Sequence, residues 1–209
     1  MVIYNISTNG TTSQMIIEVI NDSIYIEATS IAYVEGDLAL NAKPGGIRNR
    51  FKAYFIGKKF FKPVYTGTGK IYTKPTNGVF HKFTLKENEE LIVNNSAFVA
   101  CRQSLNMIQM IKPSLMNFLS GAPIIYNLIQ GSGNIVVKVP GTVKELQLVN
   151  GKFVAYANDV AAYSSTLKLT REPPGSGWLS IVHQLVHMYR GTGSVYFSPH
   201  PNKDSKPLT

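Results

Sequence analysis

The phrase Gly-x-Gly occurs three times in this chain, each time leading into a strand-like run. The copies are Tyr65-Thr-Gly-Thr-Gly-Lys-Ile-Tyr72, Gln130-Gly-Ser-Gly-Asn-Ile-Val136 and Arg190-Gly-Thr-Gly-Ser-Val-Tyr-Phe197. Their leading glycines, Gly67, Gly131 and Gly191, stand 64 and then 60 residues apart. Recurrence at a long, nearly constant spacing points to repeated architecture and constrains the fold more than any single motif does. A second phrase, a strand-like run on each side of a small or polar turn, recurs at Ile24–Tyr33, Leu91–Ala100 and Phe153–Tyr163. Its turns, at Thr29, Asn95 and Asp159, are 66 and 64 residues apart.

The order of the phrases suggests how they group. The first two Gly-x-Gly phrases are each followed by a copy of the second phrase; the third is followed only by the end of the chain at Thr209. This predicts three similar β units, approximately 65–110, 129–172 and 189–199 together with 15–42. Both chain ends would complete the last unit, so residues 190–197 are expected near residues 15–40. The expected fold is all-β: a three-repeat β-sandwich or β-helix-like body over residues 1–199, with 200–209 a flexible polar tail.

Local patterns agree with strands. Ile16, Val19, Ile20, Ile24 and Ile26 mix apolar runs with alternation, and Val136, Val137 and Val139 stop at the turn dipeptide Pro140-Gly141. β-Branched and aromatic residues suit a half-buried pleated surface. Pro113–Leu119 has the makings of one or two helical turns, and Pro173–Gly177 reads as a loop. The six glycines Gly67, Gly69, Gly131, Gly133, Gly191 and Gly193 read as structural bends, where a bulge needs positive φ or close backbone approach. None completes the dinucleotide pattern Gly-x-Gly-x-x-Gly, since Tyr72, Val136 and Tyr196 stand in place of the third glycine. Gly69-Lys70 lacks the following Ser or Thr of a phosphate-binding loop, having Ile71 there.

Charge is unevenly placed. The net charge is +9, and between Leu38 and Lys86 there are eleven Lys or Arg and no acidic residue. The densest part is Arg48, Arg50, Lys52, Lys58, Lys59 and Lys62, interleaved with Phe51, Tyr54, Phe55, Phe60 and Phe61. Such a stretch suits an anionic partner, with cations on phosphates and rings on a lipid or base surface. The simpler reading is an edge strand with rings on the core and lysines in water. The site expected for an anionic partner is Arg48, Arg50, Lys52, Lys58, Lys59 and Lys62 with Phe51 and Tyr54. A membrane or protein surface is preferred over nucleic acid, because the standard RNA-binding signatures are absent.

His183 and His187, four apart, fall on one face of a helix or strand and would supply half of a metal site. His183 is not followed by the Glu of a His-Glu-x-x-His hydrolase motif, so no metal is expected and packed or surface histidines are the reading. Cys101, the one cysteine, excludes an internal disulfide, fits a reducing compartment and is expected to be buried. With no signal-peptide pattern and no long apolar run, a cytoplasmic location is expected. No nucleophile elbow or cysteine motif is present, and no enzymatic activity or cofactor is expected.

The segment Tyr25-Ile-Glu-Ala-Thr-Ser-Ile-Ala-Tyr-Val-Glu-Gly-Asp-Leu38 resembles the opening signature of the family named for altered inheritance of mitochondria, the mitochondrial-biogenesis family. Gly45-Gly46, Phe60-Phe61 leading into Tyr65–Gly69, Asn158–Tyr163 and Tyr189–Tyr196 continue the likeness over about residues 15–200. The resemblance implies a β-rich fold of the tryptophan RNA-binding attenuation protein-like class, self-association and no catalysis. In fungi the founding member is associated with the mitochondrial inner membrane. The chain departs from the family pattern at Thr29 and Asn95, where glycine is frequent, and in its shorter Gly-rich loop at Gly45-Gly46.

The expected function is therefore a non-catalytic β-repeat scaffold or interaction protein that self-associates and binds an anionic surface or partner. The alternatives are a small-molecule or nucleic-acid binding module using a pocket between units, and a metal-assisted enzyme using His183 and His187.

Overall fold

Along Thr12–Ile26 the apolar residues Met15, Ile17 and Val19 are buried at alternate positions, and the burial then changes phase to Ile24 and Ile26. A single extra residue causes the change. On the antiparallel partner, Val19 faces Gly69 and Asp22 faces Gly67, so three steps on one strand match two on the other. A one-residue bulge turns every later side chain to the opposite face and bends the strand, and Asn21, with φ 47°, is the residue that absorbs it.

The computed structural model describes residues 1–9, 12–41, 63–112, 124–172 and 186–198. Among these the elements are the strands Val2–Asn9 (β1), Thr12–Ile26 (β2), Ile31–Asn41 (β3), Val64–Thr73 (β4), Val79–Leu85 (β5), Glu90–Asn94 (β6) and Phe98–Arg102 (β7). There follow Asn106–Lys112 (β8), Ile124–Gln130 (β9), Gly133–Val139 (β10), Lys144–Tyr156 (β11), Val160–Ser164 (β12), Lys168–Glu172 (β13) and Val186–Phe197 (β14). One 3-10 turn, Ala28–Ser30, joins β2 to β3. The fold is all-β, as the strand patterns predicted, with no α-helix among the described residues. The stretch 113–119, where a helical turn was predicted, and the loop 173–177 lie outside them, as does the tail 200–209.

The strands form two seven-stranded antiparallel sheets. The first runs β3-β4-β2-β7-β10-β5 with β1 also on β2; the second runs β11-β14-β12-β6-β9-β8 with β13 also on β14. Phe83, Phe98, Ile135 and Val137 from the first sheet pack with Leu91, Val93, Ile129 and Ala162 from the second in one buried cluster. Further clusters lie on each sheet, around Met15, Ile17 and Ile71 on the first and around Tyr126, Tyr163 and Tyr189 on the second. Burial of these side chains is the main favourable term, at about 25 cal/mol per Å² of apolar surface.

Two further bends resemble that at Asn21. In β11, Leu148 faces Gly193 and Gly151 faces Gly191, with Asn150 at φ 50° in the bulge. Between β5 and β6, Asn88 at φ 67° lies in the turn bracketed by the facing pairs Leu85–Gly133 and Glu90–Gln130. Among the described residues these three Asn are the only non-glycine residues with positive φ. Asn is the side chain that most readily visits the left-handed region after glycine.

The grouping predicted from the order of phrases is corrected by the pairing. Residues 190–197 belong to β14, which pairs with β11, β12 and β13 in the second sheet, whereas residues 15–40 belong to β2 and β3 in the first. The Ile24–Tyr33 phrase instead flanks the Gly67 strand β4, which lies between β2 and β3. Each Gly-x-Gly thus pairs with the phrase before it in the chain. Closing a connection between near neighbours costs less entropy than joining the two ends.

The three expected turns are present at Ala28–Ser30, at residues 95–97 and at residues 157–159. Neither Thr29 nor Asn95 has positive φ, so glycine is not needed at either. Cys101 is buried, as expected.

Candidate functional site

β3 pairs along its whole length with β4 and forms one end of the first sheet. On its outward face Tyr33 is 56% exposed and stacks on the facing Tyr72, with centroids 4.3 Å apart and planes 17° from parallel. The Tyr72 hydroxyl donates to Glu35 Oε2 at 3.0 Å. That bond, together with burial and the carboxylate charge, pushes the phenol above its ordinary range. Leu40, near the end of the strand, is 53% exposed. The last pair, Asn41 with Val64, holds together the two ends of the intervening sequence. Leu40 therefore stands beside the entry and exit of the basic segment, whereas the Tyr33–Tyr72 pair lies toward the other end of β3, about 26 Å away along the strand.

The basic residues Arg48, Arg50, Lys52, Lys58, Lys59 and Lys62, and their companions Phe51 and Tyr54, lie outside the described residues. So does His183. Of the cations between Leu38 and Lys86, four are described: Lys70, Lys74, Lys82 and Lys86. Lys70 Nζ is 4.0 Å from Glu18, an exposed pair of small energetic weight.

The bend glycines are brought to three places rather than one. Gly67, Gly131, Gly133, Gly191 and Gly193 have positive φ, as expected. Gly69 does not, and it serves close approach instead: a Cβ there would sit 2.3 Å from the Glu35 carbonyl oxygen.

His187 is fully buried on β14, entering the third Gly-x-Gly. Its Nδ1 is 3.4 Å from the Tyr189 hydroxyl and 3.5 Å from the Tyr126 hydroxyl. This is a packed histidine inside an aromatic core, one of the two readings open from sequence. Among the described residues no group of three or more His, Cys, Asp or Glu is placed to hold a metal ion. His81 is half-buried with its ring edge-on to Phe83, and burial lowers its imidazole below the ordinary value.

An ionic cluster at the surface ties β2 to β7 in the first sheet. Arg102 Nε on β7 is 2.7 Å from Asp22 Oδ2 beside the bulge of β2, and the Met1 ammonium is 2.9 Å from the same oxygen. Burial alone would raise the Asp22 carboxyl. The Met1 ammonium, the Ser23 amide and the Arg102 guanidinium outweigh it and hold the group below its ordinary range. Tyr4 packs nearby; burial first, then the neighbouring Cys101 and Asp22, pushes its phenol far up, so it stays protonated.

Sequence reading missed Asn21, Asn88 and Asn150. Their signal was present as a third spacing, 67 and then 62 residues, each set 41 to 46 residues before a Gly-x-Gly. It also missed the Tyr33–Tyr72 pair, because the facing of β3 on β4 is a tertiary fact.

No helix among the described residues is long and apolar enough to cross a membrane. No protein with a curated description matches the chain. Among solved structures, the crystal structure of protein SPYM3_0169 from Streptococcus pyogenes is similar, with a TM-score of 0.76 and 20% sequence identity. The match covers 95% of this chain and 94% of that one. At that identity the likeness concerns the fold. The family model described as mitochondrial biogenesis AIM24 matches residues 4–200, nearly the whole chain. By that match, and in agreement with the motifs from Tyr25 to Tyr196, the chain belongs to the mitochondrial biogenesis AIM24 family.

Proposed function

We propose that this protein is a non-catalytic β-repeat scaffold of the tryptophan RNA-binding attenuation protein-like class. It self-associates and binds an anionic surface through the acid-free run that contains Arg48, Arg50, Lys58 and Lys59. The observation that carries the reading is the end of the β3 edge: exposed Leu40 stands next to the Asn41–Val64 pair from which the basic segment departs. Electrostatic attraction would bring an anionic surface to this end of the edge, and burial of Leu40 and of the run's own rings Phe51 and Tyr54 would hold it there. The repeat reading is supported by the three Asn bends, each opposite a Gly-x-Gly.

The test is co-sedimentation with vesicles of zwitterionic lipid containing a fraction of anionic lipid, comparing the chain with a variant carrying Arg48, Arg50, Lys58 and Lys59 each changed to Glu. Binding lost in the variant supports the site. Equal binding removes these residues from it.

A further inference from the structure

Counted from the bend residues Asn21, Asn88 and Asn150, the chain contains two junctions built on one register. At the first, Ile24, Tyr25 and Ile26 of β2 face Arg102, Cys101 and Ala100 of β7. At the second, Leu91, Ile92 and Val93 of β6 face Ser164, Tyr163 and Ala162 of β12. In both, residues 3, 4 and 5 after one Asn (24 − 21 and 91 − 88 for the first of each) meet residues 14, 13 and 12 after the next (102 − 88 and 164 − 150). One more hydrogen bond repeats beside each: Gln103 N–H donates to the Ser23 carbonyl at 2.9 Å, and Ser165 N–H to the Glu90 carbonyl at 3.3 Å. A set of three such segments has one donor strand and one acceptor strand left over. The same arithmetic names them: Phe153, Val154 and Ala155 of β11, and Glu35, Val34 and Tyr33 of β3.

Each of these two strands forms one end of its sheet. Among the described residues β3 pairs only with β4, and β11 only with β14. Positions that are buried at the made junctions are open here. Tyr33 is 56% exposed where Ala100 and Ala162 are fully buried, and Val154 is 45% exposed where Ile92 is buried.

We infer that β3 of one copy of this chain pairs antiparallel with β11 of a second copy, in the register Phe153–Glu35, Val154–Val34 and Ala155–Tyr33. The chemistry fits pair by pair. The first pair joins an apolar residue to a polar one, as Ile24–Arg102 and Leu91–Ser164 do. The middle pair is apolar on both sides, as Tyr25–Cys101 and Ile92–Tyr163 are. In the third pair a large side chain meets Ala, as in Ile26–Ala100 and Val93–Ala162, with the large residue now on the other strand. Lys152, next to Phe153, would run beside a stretch that carries Glu35 and Asp37, so the charges are of opposite sign. Unpaired edges of this length are ready templates for a further strand, and facing positions on antiparallel strands lie about 5 Å apart. Because the two edges differ, the contact is head-to-tail. It gives a closed ring or an open chain of copies according to the rotation between them.

The inference rests on the self-association proposed above and supplies its junction. It is tested on the full chain by native mass measurement over a concentration series, and by oxidative cross-linking of Val34→Cys and Val154→Cys. The unchanged chain should show masses above one copy that grow with concentration. Val154→Asp should weaken association by roughly tenfold or more, since it places a charge against an apolar partner. Val149→Asp, at a position 79% exposed and outside the register, should leave it unchanged. A mixture of the two single cysteine variants should give a disulfide-linked pair containing one of each. The double variant should give a ladder of multiples.

A chain that stays at one copy at every concentration overturns the inference. So does a Val34–Val154 disulfide closed within a single chain, or association indifferent to Val154→Asp. The arms without an introduced cysteine guard against a cysteine variant that fails to fold. A one-copy chain that still binds anionic vesicles through Arg48 and Arg50 would sink this junction and leave the surface-binding reading standing. An oligomer that ignores vesicles would do the reverse.

Discussion

Asn150 and Thr192 hold each other across the bulge of β11. The Asn150 amide donates to Thr192 Oγ1 at 3.0 Å, and the Thr192 hydroxyl donates back to Asn150 Oδ1 at 3.2 Å. Asn21 and Thr68 repeat the exchange at 3.0 Å in both directions. In each case the middle residue of a Gly-x-Gly clasps the left-handed Asn opposite, which explains why a hydroxyl sits between the two glycines. Thr192→Val removes both bonds and should cost about 1 kcal/mol, since each is exposed and carries a net value at or below the low end for one hydrogen bond. Asn150→Ala should cost more, about 2 kcal/mol, because a β-carbon without the clasp remains at φ 50°. Asn150→Gly should fall below Asn150→Ala. Urea unfolding of the three variants measures the order.

The glycines should not be equally sensitive. At Gly67 an added Cβ would sit 2.1 Å from the Asp37 carbonyl oxygen, and φ is +135°, so backbone would have to move. At Gly131 the nearest atom is a flexible Leu105 methyl at 3.5 Å, and only the φ of +108° resists. Gly67→Ala is expected to cost at least ~3 kcal/mol and Gly131→Ala about 1–2 kcal/mol. Equal thermal shifts for the two would contradict this account.

Acid should weaken the first sheet through Asp22. Its folded pKa lies below the ordinary carboxylate value, so the unfolded chain binds its proton first. The stabilisation is present above the unfolded pKa and is lost as pH falls through the folded one. Asp22→Asn should flatten the acid limb of the stability curve and weaken the chain at neutral pH, where Arg102 loses its partner. Denaturant midpoints across about pH 2 to 6 for both proteins provide the check.

Vesicle binding, if carried by the basic run, should decline steeply with salt. Each Lys or Arg near an anionic bilayer contributes about 1 kcal/mol, screened within a Debye length of roughly 8 Å at physiological salt. Reversal of Arg48, Arg50, Lys58 and Lys59 should therefore weaken binding by roughly a thousandfold at low salt, with a smaller gap at high salt. Binding that is flat in salt would favour an apolar contact at Leu40 alone.

Much of this was legible in the residues. Alternation and β-branched content marked the strands because pleating puts successive side chains on opposite faces whatever their partner. The stop at Pro140-Gly141 and the buried Cys101 were both read correctly for local reasons. The candidate site was legible only as a charge run, since the basic residues themselves fall outside the described part and the Tyr33–Tyr72 stack depends on strand facing.

From sequence alone came the all-β class, the positions of the Gly-x-Gly bends and the family. The tertiary structure alone decided which Gly-x-Gly meets which phrase, that Gly67 serves β2 and β3 rather than Gly191 doing so, and that β3 and β11 each form one end of a sheet. The physical reason is that periodicity and turn chemistry act over a few residues. Partner choice, by contrast, balances loop closure against burial across tens of residues, and no short phrase carries that balance.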